Sequence, residues 1–159
     1  MALSSQMQTR INNIELLIEK GYTLKTEFYN LVPKLTSPND KAVNIYQGRY
    51  EDDLLPNFSW IAFWFPPLFA AQIRHWNYFW FVGIFNFFID VLSLITKIES
   101  LSYAGLVTAI LYAYWFPYQR WFFMKSNKEE LGIFQSILVG IGLIIVASIP
   151  SFILIFSTY

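Results

Sequence analysis

An aspartate inside an apolar stretch is the first residue of this chain whose position suggests chemistry. Asp90 is the one acidic residue within residues 78–95, and Asn86 precedes it by four positions, so a helix would place both on one face. Acidic side chains inside membranes are costly and often mark ion or proton paths. Asp90 also lies five residues from the end of the stretch, within about 8 Å of that boundary, so it can reach water or pair with Lys97. Two interpretations are therefore open: a structural carboxylate, or part of a transport path.

The single histidine is the only residue that suggests a cofactor. A ring nitrogen of His75 can ligate haem or chlorophyll, and a histidine in a short turn can equally serve as a hydrogen-bonding or headgroup-facing side chain. Cysteine is absent, which removes disulfides, thiolate catalysis, iron–sulfur clusters and the usual zinc sites. No nucleophile stands in an evident arrangement with His75. We therefore predict a protein that is not an enzyme, with no metal site and no cofactor other than bound lipid, and with pigment or haem at His75 as the alternative.

Arginines beside aromatic residues form a second chemical pattern. Tryptophan and arginine together are typical of the lipid headgroup level, because indole rings are amphipathic and guanidinium groups bind phosphate. A dedicated lipid site between Arg74 and Arg120 is the narrower hypothesis. The residues expected at the interface are Trp64, Arg74, Trp76, Trp115, Arg120 and Trp121.

Four apolar segments must position these side chains. They cover residues 58–71, 78–95, 101–117 and 132–156, and all six tryptophans lie between residues 58 and 123. A helix over residues 58–71 would reach about 21 Å, short of the roughly 30 Å hydrocarbon core, and it contains Pro66-Pro67. The other three segments are long enough to cross a bilayer.

The distribution of lysine and arginine favours three crossings over four. If residues 58–71 lie along the interface or re-enter, six cations fall on the side of the N-terminus and Lys97 alone falls opposite. That asymmetry follows the positive-inside rule, whereas four crossings would give none. The six are Lys41, Arg49, Arg74, Arg120, Lys125 and Lys128.

Residues 1–57 form the polar part of the chain. Residues 6–20 have apolar side chains at helical spacing, Gly21 suits the end of that helix, and Thr23 suits the start of a second helix that Pro33 would end. The charges of the first helix are balanced, so its apolar stripe should contact a partner helix or the chain's own N-terminal fold rather than anionic lipid. Small residues on the last apolar segment allow close approach of another helix, within the chain or in another subunit. The residues expected to contact partners are Ile11, Ile14, Ile18, Ser136 and Gly140.

The sequence therefore predicts an all-α integral membrane protein. It would have a small helical N-terminal region at residues 1–57, on the cytoplasmic side, and a membrane domain at residues 58–159 with three transmembrane helices and one interfacial or re-entrant helix containing proline. No cleaved signal is expected, because the first 25 residues contain no uninterrupted apolar region.

One motif carries a resemblance. The run Trp60-Ile61-Ala62-Phe63-Trp64-Phe65-Pro66-Pro67-Leu68-Phe69, followed by Arg74-His75-Trp76, resembles an uncharacterised family of small bacterial inner-membrane proteins. The family signature reads Trp-x-Ala-Phe-aromatic-Phe-x-Pro-Leu-Trp, and Phe69 stands in place of its last tryptophan. The resemblance implies the membrane architecture and a location in a bacterial inner membrane. A thylakoid membrane is the alternative location if the source is photosynthetic. It supplies no catalytic residue.

Three functions remain open. The chain has aromatic and apolar surfaces and few reactive groups, so we predict a non-catalytic accessory or assembly subunit of a membrane complex, in contact with other membrane subunits and lipids. A small transporter or channel component using Asp90 is the alternative, and a lipid-modifying membrane enzyme is the second alternative. A formal net charge of zero argues against nucleic acid as a partner.

Overall fold

The computed structural model describes residues 4–46, 58–97 and 104–158. Within these residues the chain is mostly helical (69%), with six helices and one small antiparallel sheet. The elements are α1 (Ser5–Glu19), β1 (Thr23–Glu27), β2 (Val32–Thr36), β3 (Ala42–Val43), α2 (Trp60–Trp64), α3 (Pro66–Gln72), α4 (Trp76–Thr96), α5 (Ala104–Lys125) and α6 (Ile133–Thr158).

Helix α1 forms where the helical spacing predicts it. The Ser4 side chain accepts a hydrogen bond from the Met7 amide and caps the first turn. Gly21, with φ +89°, ends the helix in a conformation that other residues adopt at a cost. The apolar stripe is buried in the chain's own core, with Ile11 and Ile14 inside and Ile18 packed against the core. Of the two surfaces predicted for this stripe, the chain's own fold is therefore the one that covers it, with α1 packed on α5.

The predicted second helix is wrong, because residues 23–36 form a β-hairpin. β1 and β2 pair with Leu24 opposite Leu35 and Thr26 opposite Pro33. Exposure alternates along β1, as expected for a strand with one covered face. The hairpin turn leaves the side chains of Phe28 and Tyr29 exposed. β3 extends the sheet on the other side of β2, so the N-terminal region is not wholly helical.

Residues 58–71 fold as two short helices rather than one. α2 ends at Trp64, and Pro66 stands at the first position of α3, where its missing amide hydrogen costs nothing. α2 packs on α5, while α3 packs mainly on α6.

Two of the described helices, rather than three, are long and apolar enough to cross a membrane. They are Trp76–Thr96 and Ile133–Ser157. The stretch predicted at residues 101–117 falls largely in α5, which extends to Lys125 and also carries Gln119 and Arg120. α5 is the central helix, in contact with α1, α2, α3, α4 and β2. Its aromatic residues fill the protein core. From the sequence alone, the aromatic content of α5 cannot be distinguished from that of a lipid-facing helix.

Helices α4 and α6 run in the same direction. The Leu131 amide, just before α6, donates to the Gln72 carbonyl, four residues before α4 begins. Further along both helices, a Cβ built on Gly83 would lie 2.8 Å from the Ala147 carbonyl oxygen. The start of α4 therefore lies near the start of α6, and the middle of α4 lies near the middle of α6, as in two parallel helices.

Candidate functional site

The site forms around the turn between α3 and α4. The Arg74 and His75 amides donate to the carbonyl oxygens of Ala71 and Ala70, at 3.0 and 2.8 Å, and so close the end of α3. Arg74 has φ +53°, a left-handed conformation that glycine usually provides at this place. The turn leaves Arg74 exposed and buries His75 between the hairpin and α5.

His75 is held as a neutral ring. Its Nε2 lies 3.0 Å from the Asn30 carbonyl oxygen, which can only accept, so Nε2 carries a hydrogen and, in the neutral ring, Nδ1 is unprotonated. The ring stacks on Tyr112 at a centroid distance of 6.1 Å. Burial lowers the pKa of His75 to about 4, although the Asn30 hydrogen bond opposes that shift. The charged form would need Nδ1 to carry a proton at a buried position without a partner.

Gln119 completes the attachment of the hairpin. Its Nε2 donates to the Leu31 carbonyl oxygen at 2.7 Å and to that of Asn30 at 3.2 Å. The Asn30 carbonyl thus accepts hydrogen bonds from both the α3–α4 turn and α5. Sequence reasoning missed Asn30 and Gln119, because the bonded residues lie 45 to 89 positions apart and no local pattern signals them.

Arg120 forms an ion pair with Glu130 in the interior. The Arg120 Nη2 donates to the Glu130 carboxylate, and the guanidinium lies 5.9 Å from the centre of the Phe123 ring. The Arg120 side chain is 5% exposed and that of Glu130 is 21% exposed. The prediction that Arg120 meets lipid headgroups is wrong, because its charge is already compensated inside the protein.

A cavity of about 380 Å³ opens beside the turn. The charged residues that line it are Arg74 and Lys128, and neither has an ion-pair partner in the described part of the chain. The remaining lining residues are polar or aromatic apart from one isoleucine, and the full lining is Thr26, Asn30, Ile73, Arg74, His75, Trp76, Asn77, Gln119, Phe122, Phe123, Ser126 and Lys128. The cavity is therefore chemically suited to a small anion.

The predicted interfacial residues divide into two groups. Trp64, Arg74 and Trp76 are exposed, and Trp121 is half-buried beneath the Lys125 ammonium, 5.6 Å from its ring. Trp115 is buried instead, and its Nε1 donates to the Tyr46 hydroxyl at 2.7 Å. Trp115 fills the core because the N-terminal region packs over this part of α5.

The predicted small-residue contacts are internal. Ser136 is buried and its hydroxyl donates to the Gly132 carbonyl at 2.9 Å. A Cβ on Gly140 would lie 2.9 Å from the Pro67 carbonyl oxygen. Gly140 thus allows α6 to approach α3 within the same chain, which is the internal one of the two alternatives, and contact of Ser136 or Gly140 with another subunit stays a prediction.

Asn86 and Asp90 lie half-exposed on α4, away from the cavity. Neither side chain has a hydrogen bond or ion pair within residues 4–46, 58–97 and 104–158, and Asp90 does not pair with Lys97. They line neither the cationic cavity nor the two apolar cavities beside α4.

The residues present offer little for metal or cofactor chemistry. Across the described ranges, no three His, Cys, Asp or Glu side chains form a group that could hold a metal ion. His75 Nε2 is occupied by Asn30, and Nδ1 is buried, so haem or chlorophyll ligation stays a prediction without a supporting contact.

The resemblance of residues 60–76 to a bacterial inner-membrane family stays a prediction after comparison with known proteins. Searches against protein-family models, curated proteins and solved structures gave no match to this chain.

Proposed function

We propose that this chain is an integral membrane protein that serves as a non-catalytic subunit of a larger membrane complex. The membrane part of the proposal is supported by the exposure of α4 and α6. Only 17% and 11% of the residues in their most apolar stretches are buried inside the chain. An apolar helix at the core of a soluble protein would be mostly buried, so these two helices need lipid or another protein around them.

The parallel direction of α4 and α6 supports one arrangement in the bilayer. If both cross, residues 97–132 must return the chain across the bilayer. α5, the described helix between them, would then cross as well, packed against α2, α3 and α4, although it is less apolar than α4 and α6. Arg74, Lys125 and Lys128 then lie at one membrane face and Lys97 at the other, so the first face is cytoplasmic by the positive-inside rule.

Cysteine labelling tests this orientation, because the chain has no native cysteine. An impermeant reagent applied from outside should label Ser157→Cys in intact cells, and should label Glu129→Cys only after permeabilisation. The reverse pattern would contradict the orientation.

The observation that carries the subunit role is that Asn86 and Asp90 have no hydrogen bond or ion pair with any described residue. Both lie on one face of α4, where a lipid environment would leave an amide and a carboxylate without hydrogen-bond partners. Such groups are stabilised when a neighbouring helix supplies donors, and polar contacts of this kind hold transmembrane helices together. A partner helix facing Asn86 and Asp90 would supply those donors.

The test compares Asn86→Leu and Asp90→Leu with Leu92→Ala, an exposed apolar position on the opposite face of the same helix. Co-sedimentation with native complexes in mild detergent should fall at least severalfold for the two polar-to-Leu variants and stay unchanged for Leu92→Ala. If wild type itself migrates as a lone monomer, the subunit role is wrong.

Asp90→Asn separates this role from the transporter alternative. Asparagine retains hydrogen-bonding capacity and removes the charge, so a subunit contact should survive the change while a proton or ion path should not. Loss of flux with normal co-sedimentation would favour the transporter.

A further inference from the structure

We propose that the cavity between Arg74 and Lys128 binds the phosphate of an anionic lipid headgroup. This inference rests on the proposed membrane location and adds a ligand to it. The charges support this ligand: the two cations line one cavity, no carboxylate lines it, and neither cation is paired within the described residues. An uncompensated pair of cations facing a shared space favours an anion between them.

The start of α4 strengthens the same preference. Trp76 and Asn77 form its first turn and line the cavity. The first amide groups of a helix have no intrahelical acceptor, and the helix dipole places partial positive charge at this end. These amides add to the Arg74 guanidinium, which can donate two parallel hydrogen bonds to one phosphate.

Other cations of the region are already compensated. Arg120 is paired with Glu130 in the interior, and Lys125 lies 3.0 Å from the Glu15 carboxylate. This distribution replaces the predicted Arg74–Arg120 lipid site with a site made by Arg74 and Lys128.

The aromatic side of the cavity points to a lipid rather than to free phosphate. Trp76, Phe122 and Phe123 line it next to the polar groups. The cavity also stands at the first residue of a candidate membrane span, at the end where Arg74 and Lys128 lie. A headgroup phosphate with its glycerol and upper acyl carbons combines the charge and the apolar surface that this lining would contact.

The experiment uses the full chain in nanodiscs of phosphatidylcholine, with phosphatidylglycerol added in steps, and measures bound phosphatidylglycerol by native mass spectrometry. Arg74→Gln and Lys128→Gln should each weaken retention about tenfold, as expected for loss of a charge-assisted contact. Arg74→Lys should retain most of the binding. The matched control is Lys125→Gln, which removes the same charge three residues from Lys128 but outside the cavity, and it should leave retention unchanged.

Two outcomes would overturn the site. Equal losses in Lys125→Gln and Lys128→Gln would show a general effect of surface charge, and unchanged retention in the Arg74 and Lys128 variants would show that the cavity is not used. A separate titration of detergent-solubilised protein with inorganic phosphate distinguishes the source of the anion. If inorganic phosphate saturates the site and phosphatidylglycerol fails to displace it, the assignment to lipid is overturned. None of these measurements depends on co-sedimentation with partners, so this site and the subunit role can fail independently.

Discussion

The Ser59 amide donates a hydrogen bond to the Ala113 carbonyl oxygen, 3.1 Å away, and so satisfies the acceptor that Pro117 leaves free in α5. Proline has no amide hydrogen, so the carbonyl four residues before it loses its helical partner. Ser59 stands at the start of α2 and is fully buried. The proline inside α5 therefore provides the point at which α2 attaches.

Replacement of Pro117 by alanine should loosen this attachment. The introduced alanine would supply its own amide to the Ala113 carbonyl and compete with Ser59. We expect faster hydrogen exchange at the Ser59 amide, measured by nuclear magnetic resonance in detergent. Pro150→Ala, in α6, is the control and should leave Ser59 exchange unchanged. Unaltered Ser59 exchange in Pro117→Ala would contradict this account.

Addition of one methyl group at Gly140 should destabilise the protein. A Cβ there would lie 2.9 Å from the Pro67 carbonyl oxygen, so α6 and α3 would have to separate. We expect Gly140→Ala to lower the free energy of unfolding by about 1–3 kcal/mol, seen as a lower thermal midpoint. Gly142→Ala, two residues away with nothing within 4 Å of its Cβ, should not be destabilised. Equal effects of the two changes would refute the close contact.

Removal of the Glu130 charge should lower the free energy of unfolding much more than removal of the charge of Glu15, which pairs with Lys125 at the surface. Glu130→Gln leaves the buried Arg120 guanidinium without a counter-ion, which costs about 3–5 kcal/mol in comparable pairs. Glu15→Gln breaks the exposed pair with Lys125 and should cost at most about 1 kcal/mol. Chemical denaturation of both variants measures the difference, and similar losses would mean that the Arg120–Glu130 pair is solvated.

Stability should fall in mild acid because of His75. Its pKa is about 4 in the folded chain against an ordinary value of 6.5, so between these values the unfolded state binds more protons. The neutral ring contributes its full share to the free energy of unfolding above about pH 6.5. This contribution, ~3 kcal/mol in total, is lost as pH falls toward 4.

The variant His75→Gln isolates this effect from other titrating groups. Glutamine retains a donor for the Asn30 carbonyl and does not titrate. Thermal midpoints measured from pH 7 to 4.5 should therefore decline less steeply in the variant than in wild type. Parallel curves would show that His75 is not the group responsible.

The sequence predicts local features of this fold better than distant contacts. α1 is predictable because its apolar residues repeat at a single helical period. The hairpin is not, because Leu24, Phe28 and Leu31 also fit a helical face, and only pairing with β2 and β3 selects the strand. The small size of Gly140 indicated a close approach, but nothing local identified α3 as the neighbour.

The candidate site was predictable only in part. The sequence singles out Arg74 and Trp76 as candidate site residues, because a charge next to an indole ring is a local signal. Arg120 was misplaced, because its interior position depends on Glu130 and on the packing of α1 and β2 around α5. Lys128 was counted only as one charge among six, and its place in the cavity depends on how the loop before α6 folds back to Gln72.

The hairpin attachment has a consequence for biogenesis. Asn30 leaves the ribosome well before His75 and Gln119, which must reach its carbonyl from 45 and 89 residues further along the chain. The His75 ring and the Gln119 amide thus donate to a carbonyl that was synthesised earlier. The attachment of the hairpin is not complete until α5 has been synthesised. During synthesis the Asn30 carbonyl therefore has neither of these donors until His75 emerges, and the core of the protein cannot close around it before Gln119 follows.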